Sequence, residues 1–164
     1  MKIIKIIIKN FRLLKNTEID LEKELSLIIG KNNCGKTSVL TTLTKFLGDQ
    51  SATNNFNYDD FNIDLQKDLL ECIEKDVESW KARGCKGIEL YIFIQYDETD
   101  NLANISSLML DLDPDNKMVV LKMEYILDEV AILLLKDAFE KYYERFKQDK
   151  KNKLTRACLK NKHL

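Results

Sequence analysis

The sequence has a single histidine, no C-x-x-C pair and no surplus of either charge, and each shortage removes a class of function from its 164 residues. Cys34, Cys72, Cys85 and Cys158 are scattered, and only His163 could join them, so neither a zinc site nor a disulfide framework is expected. The 26 basic and 27 acidic side chains nearly cancel, which removes the global field of a dedicated nucleic-acid or membrane binder. Lys2 and Lys5 break the apolar stretch at the amino terminus, so it does not read as a secretion signal, and no run nears membrane-spanning length. A soluble, cytoplasmic chain with no membrane partner is expected. With 45% apolar residues, it is long enough for one compact core and too short for two ordinary domains. Charge is unevenly spread, an acidic middle lying between basic ends.

Apolar periodicity gives an α/β chain. Ile4, Ile6 and Ile8 fall on one side of an extended strand within Lys2 to Phe11. Thr17 to Glu22 alternates in the same way, and Leu25 to Ile29 is almost wholly apolar, which predicts a third and buried strand. The links are a few residues long, too short for parallel crossovers, so an antiparallel meander is expected. After Gly30 the spacing becomes helical. Val39, Leu40, Leu43, Phe46 and Leu47 share a face of a helix from about Lys36 to Leu47.

Polar residues 48 to 60 predict a loop. Leu65, Leu69, Ile73, Val77 and Trp80 mark a second helix ending near Gly84, and two further strands centre on Ile88 to Ile94 and Val119 to Tyr125, with a polar linker around Asp111 to Asn116. A helix of about five turns follows, striped by Ala131, Leu134, Leu135, Ala138, Phe139, Tyr142 and Phe146 as core or partner face. Residues 1–149 are expected to form a nucleotide-binding lobe and 150–164 a basic, flexible tail.

Gly30-Lys31-Asn32-Asn33-Cys34-Gly35-Lys36-Thr37 matches G-x-x-x-x-G-K-[ST] without a mismatch. Gly30 and Gly35 let main-chain amides approach phosphate oxygens that a Cβ would obstruct. Lys36 supplies a point charge for the β- and γ-phosphates, and Thr37 a hydroxyl for Mg²⁺. Ser38 continues the helix, whose positive amino-terminal end faces the anion. The motif alone predicts binding of a nucleoside triphosphate, ATP with Mg²⁺, by Gly30, Asn32, Asn33, Cys34, Gly35, Lys36, Thr37 and Ser38. Cys34, beside a lysine and a helix terminus, is expected to be alkylated unless ATP covers it.

The opening IIKIIIKNFRLLKNTEIDLEKELSLIIGKNNCGKTSVLTTLTKFL, Ile3 to Leu47, resembles the amino-terminal part of ABC-type ATPase heads of the RecF/SMC/OLD branch. The Asn32-Asn33 pair and the antiparallel opening are most similar to OLD-type ATP-dependent endonucleases and related phage-defence ATPases. The resemblance implies a partial P-loop NTPase head with a β-rich lobe, ATP hydrolysis by the complete assembly, and links to DNA processing or repair. It also implies a homodimer, or a carboxy-terminal part or partner subunit lying elsewhere. Arg12 of Asn10-Phe11-Arg12 would lie near the base or phosphates. Such heads complete their site with an Asp-Glu strand and a Ser-Gly-rich signature loop. No such signature loop occurs here, and Asp97-Glu98 and Asp128-Glu129 match the Asp-Glu strand only superficially. Two rivals remain: a non-catalytic ATP-sensing or partner-docking module, and a small P-loop kinase, which would continue in parallel βα units.

Overall fold

The computed structural model describes residues 1–48, 55–74, 80, 84, 86–104, 106 and 117–160, with the backbone alone described at 104, 146 and 148–160. Backbone contacts divide the chain into two units, Met1–Asp68 with Lys86–Ile126, and Leu69–Cys85 with Leu127–Leu164.

The first unit is built on β1 (Lys2–Phe11). Antiparallel β2 (Leu14–Asp20) lies on one edge of β1 and antiparallel β3 (Gly87–Gln95) on the other, and β3 carries β4 (Met118–Ile126). The order β2-β1-β3-β4 follows from hydrophobicity. Ile6, Ile8 and Phe11 of β1 and Ile88, Leu90 and Ile92 of β3 are buried, so the two middle strands hold the apolar side of the sheet. Each such side chain contributes about 1.5–3 kcal/mol when removed from water. Edge residues are more polar, and Lys5 of β1 pairs with Glu18 and Asp20 of β2 at 3.3 and 3.5 Å.

Helix α1 (Lys36–Leu47) starts directly after the glycine loop. Its buried residues are Ser38, Val39 and Thr42, whereas Leu40 and Leu47, expected inside, are 62% and 57% exposed. Thr42 can be buried because its Oγ1 donates to the Ser38 carbonyl at 2.8 Å, leaving no unmet hydroxyl. Phe56 joins the helix to the sheet, its ring lying 4.8 Å from those of Phe46 and Tyr125 and 6.2 Å from that of Phe11.

The expected third strand is not formed. Leu25 to Ile29 has no ladder partner among the described residues, and Leu25, Leu27 and Ile29 are 80%, 76% and 80% exposed. The antiparallel neighbour of β1 on its second edge is β3 instead. A run apolar on both faces needs strands on its edges and layers above and below it, and none of the four described strands pairs with it.

β1 ends in a turn that two residues hold in the left-handed region, Asn10 at φ 61° and Arg12 at φ 48°. Asn tolerates this conformation, but in Arg it costs about 1 kcal/mol and needs support from its surroundings. Residues 57–62 supply the support. The Arg12 amide donates to the Asp60 carbonyl (2.8 Å), the Asn62 amide to the Asn10 carbonyl (2.9 Å), and Asn62 Nδ2 to the Arg12 carbonyl (2.6 Å). The Asp60 side chain is 3% exposed. Its Oδ1 accepts from Arg12 Nε at 2.9 Å and Nη2 at 2.8 Å, while Oδ2 accepts from the Asn57 amide at 3.0 Å and lies 3.2 Å from Lys45 Nζ of α1. Burial pushes the Asp60 carboxyl upward, yet the Asn57 amide, Arg12 and Lys45 together outweigh it and hold the group below the usual carboxylate range.

The second unit contains the end of α2 (Ile63–Glu74) and α3 (Glu129–Lys160). Leu69, Cys72, Ile73, Trp80, Leu127 and Ile132 are buried, and Trp80 Nε1 donates to the Leu127 carbonyl at 2.8 Å. Val77, assigned to the second helix from sequence, lies outside the described residues, as does the linker at 111–116. Asp128 Oδ1 accepts from the Ala131 amide at 2.8 Å and caps α3. The helix continues well past the expected five turns, to Lys160, and its expected stripe is not buried: Leu134 is 66% and Tyr142 68% exposed, while Ile132 points inward.

Two outcomes are expected in chemical denaturation. Ile8→Ala lowers stability by about 2–5 kcal/mol, whereas Leu25→Ala changes it by no more than about 0.5 kcal/mol. The stabilisation from Asp60, whose carboxyl is lower in the folded than in the unfolded chain, is complete above the unfolded value of about 3.9 and is lost as pH falls through the folded value. The advantage of wild type over Asp60→Asn is therefore constant near neutrality and shrinks below about pH 4.

Candidate functional site

The first unit brings the glycine-bounded loop against the turn between β1 and β2. Asn33 at φ 62° and Gly35 at φ 96° bend the chain immediately before α1, and Gly35 occupies the N-cap position. A residue with a side chain is excluded there twice, by the backbone conformation and because its Cβ would lie 2.9 Å from Leu14 Cδ2. Gly35 also brings no side chain to cap the first-turn amides, and no acidic residue stands in that turn. The amino-terminal end of α1 is thus left as a set of positive donors.

Lys36 curls along its own loop. Its Nζ donates to the Gly30 and Lys31 carbonyls, at 2.6 Å to the latter, and lies 3.7 Å from Cys34 Sγ. A Cβ on Gly30 would stand 2.7 Å from that sulfur and 4.0 Å from the ammonium, so Gly30 keeps the inner curve of the loop clear. Cys34 is exposed and free.

The loop encloses a cleft of about 530 Å³ lined by Leu13, Asn32, Asn33, Gly35, Lys36, Thr37 and Ser38. Six of the nine residues named from sequence are therefore on its wall. Gly30 and Cys34 touch Lys36 instead, and Arg12 is held by Asp60. The neighbour of Arg12, Leu13, is the turn residue that reaches the wall, 65% exposed despite its size. Periodicity gave no reason to single it out, but an apolar residue at the tip of a two-residue strand connection was the available signal.

Lys36, Thr37, Ser38, Asn32 and Asn33 line this space beside the uncapped end of α1, and none of the described residues on the wall is acidic. Such a donor set suits a polyanion. The Thr37 and Ser38 hydroxyls are suited to a hard cation that brings phosphate oxygens with it, because Mg²⁺ takes oxygen ligands and commonly shares them with a phosphate. Among the described residues, no three His, Cys, Asp or Glu side chains form a cluster able to hold a metal by themselves.

Three of the four carboxylates in the acidic pairs noted in the sequence are tied to local partners. Asp97 accepts from the Thr99 amide at 2.8 Å and also from its hydroxyl, which holds the Asp97 carboxyl below its usual range and makes it a weak base. Glu98 pairs with Lys117 at 2.9 Å, and Asp128 is the cap of α3. Asp97 lines a separate depression with Lys2, Lys23, Asp100 and Lys117.

No helix among the described residues is long and apolar enough to cross a membrane. Comparison with known proteins agrees with the chemistry of the cleft. The chain is 28% identical over 143 residues to endonuclease GajA of Bacillus cereus (strain HuB5-5), a match covering 81% of this chain and 21% of that protein. The chain thus spans about a fifth of that relative's length. The family model described as AAA ATPase domain matches residues 1–163. Both findings accord with the resemblance to OLD-type ATP-dependent endonucleases carried by Ile3 to Leu47. With its glycine loop, lysine and helix arranged around one cleft, the chain belongs to the AAA ATPase domain family and has a P-loop NTPase fold.

Proposed function

We propose that the chain is the nucleotide-binding lobe of a RecF/SMC/OLD-like ATPase head of ABC type, and that it binds ATP with Mg²⁺ through Gly30 to Ser38. The observation that carries this reading is the cleft itself: Lys36, Thr37 and Ser38 line one 530 Å³ space at the uncapped end of α1. The first-turn amides and the Lys36 ammonium hold the β- and γ-phosphates, with Lys36 exchanging its Gly30 and Lys31 carbonyl partners for phosphate oxygens. Thr37 orients the cation. Bound Mg²⁺ supplies charge neutralisation at the phosphates. Asn32 and Asn33 donate at the loop's outer rim, and Leu13 gives the cleft an apolar wall.

Hydrolysis requires a group that positions water in addition to the phosphate cradle. Among the described residues the wall has no carboxylate, and Asp97 and Glu98 are engaged elsewhere. ATP turnover therefore belongs to an assembly in which a second copy, a carboxy-terminal part or a partner subunit completes the site. The relative's name, an endonuclease, supports a role for that assembly in nucleic-acid processing, and the resemblance of Ile3 to Leu47 to OLD-type ATPases supports a place in phage defence. The same lack of a carboxylate favours, as the second reading, a lobe that senses ATP and docks a partner without turnover.

Fluorescent ATP-analogue titration is expected to show Mg²⁺-dependent binding to the wild-type chain and none to Lys36→Ala, with matching circular dichroism; equal affinity would defeat the assignment. Steady-state phosphate release by the isolated chain should stay at the level of Lys36→Ala, and robust turnover would instead place a complete hydrolytic site in these residues. Alkylation of Cys34 should be slowed by Mg²⁺ and ATP, and unchanged labelling would remove it from the covered loop.

A further inference from the structure

The Asp60 carboxylate touches the phosphate loop nowhere, yet it joins the two elements between which the cleft opens. Arg12 belongs to the turn whose next two residues are Leu13, on the cleft wall, and Leu14, which packs against Gly35 so closely that a Cβ there would come within 2.9 Å. Lys45 belongs to α1, the helix that begins at Lys36. Oδ1 holds the first and Oδ2 the second, in a pocket where Lys45 and Asp60 are 8% and 3% exposed.

The turn needs such a fastening. Arg12 sits at φ 48°, a region that a residue with a Cβ leaves readily when its neighbours permit. Its amide, its carbonyl and its guanidinium are all held by residues 60 and 62. Loss of the carboxylate frees the guanidinium and leaves the turn on its two remaining bonds, the Arg12 amide to the residue-60 carbonyl and Asn62 Nδ2 to the Arg12 carbonyl, so that Leu13 can shift with it. The phosphate cradle, made by α1 and the loop, would remain.

Resting on the reading that the cleft holds ATP, we propose that Asp60 is a positioning residue for nucleotide: by tying Arg12 to Lys45 it fixes Leu13 at a set distance from the phosphate loop, so that the nucleoside part of the ligand meets a preformed apolar wall. Asp60 acts through Leu13 and has no contact with the ligand. It governs the preference for a nucleoside triphosphate over a bare polyphosphate chain, since only the former extends to the wall.

The test compares the affinity of the full chain for ATP and for inorganic tripolyphosphate, both with Mg²⁺, by calorimetry. Asp60→Asn, which keeps the shape of the side chain and removes its charge, should weaken ATP binding about tenfold and leave tripolyphosphate within about twofold. Leu13→Ala should reproduce that pattern, and adding it to Asp60→Asn should cost little more, because both act at one wall. Equal loss of both ligands would mean that Asp60 merely supports the fold, and an unchanged ratio would overturn the proposal. Should Asp60→Asn fail to fold, Arg12→Met removes the same tie from its half-exposed side and is read in the same way; a loss of tripolyphosphate binding there would show Arg12 to be a phosphate ligand instead. Lys36→Ala must lose both ligands. If it retains them, or if wild type binds neither, the nucleotide reading falls, an outcome distinct from failure of Asp60 alone.

Discussion

The pairing of β1 on both edges is the constraint on which the first unit depends. A strand with neighbours on each side and Ile6, Ile8 and Phe11 buried has little freedom of register, since a slip by one residue would exchange these side chains for Lys5, Ile7 and Asn10 or for Ile7, Lys9 and Arg12. The fixed strand delivers its last residues to a fixed place. There Asn10, Phe11 and Arg12 meet residues 57–62 through main-chain hydrogen bonds and the Phe11–Phe61 bridge. The turn that follows packs against Gly35, so a register set by isoleucines is passed through a strained corner to the loop that lines the cleft.

The elements that could be read from the sequence were those whose signal is local. Alternation in β1 and β3 identified the buried side chains because one face of each strand is apolar, and the loop announced itself by glycines whose backbone roles have few substitutes. The inward face of α1 was read about one position off, because apolar counting could not anticipate that Thr42 would satisfy its own hydroxyl and take an interior place. Leu25 to Ile29 was misread for a different reason: strand-like composition reports a capacity to pair, whereas a strand requires a neighbour. Nothing local marked Asp60. Its two cationic partners lie 48 and 15 positions away, in elements whose proximity arises only from the fold.

The wall of the cleft shows how far a fifth of the relative's length can carry the chemistry. The anion recognition proposed for this cleft needs only a helix terminus, one lysine and a few hydroxyls, all within nine consecutive residues from Gly30 to Ser38. Binding modules of this sort are compact because backbone amides do most of the work. Water activation is different in kind, since it depends on a group placed across the ligand from the loop, where sequence-distant or separate polypeptide must reach.

The open stretch before the loop affects how the chain behaves in a crowded solution. Leu25, Leu27, Ile28 and Ile29 form an exposed apolar run of the composition that can associate with identical runs. Charged residues stand as gatekeepers at its margins, Lys23 and Glu24 before it and Lys31 after it, and disfavour stacking of like copies. An exposed apolar run of this kind favours self-association as concentration rises, and dilution opposes it.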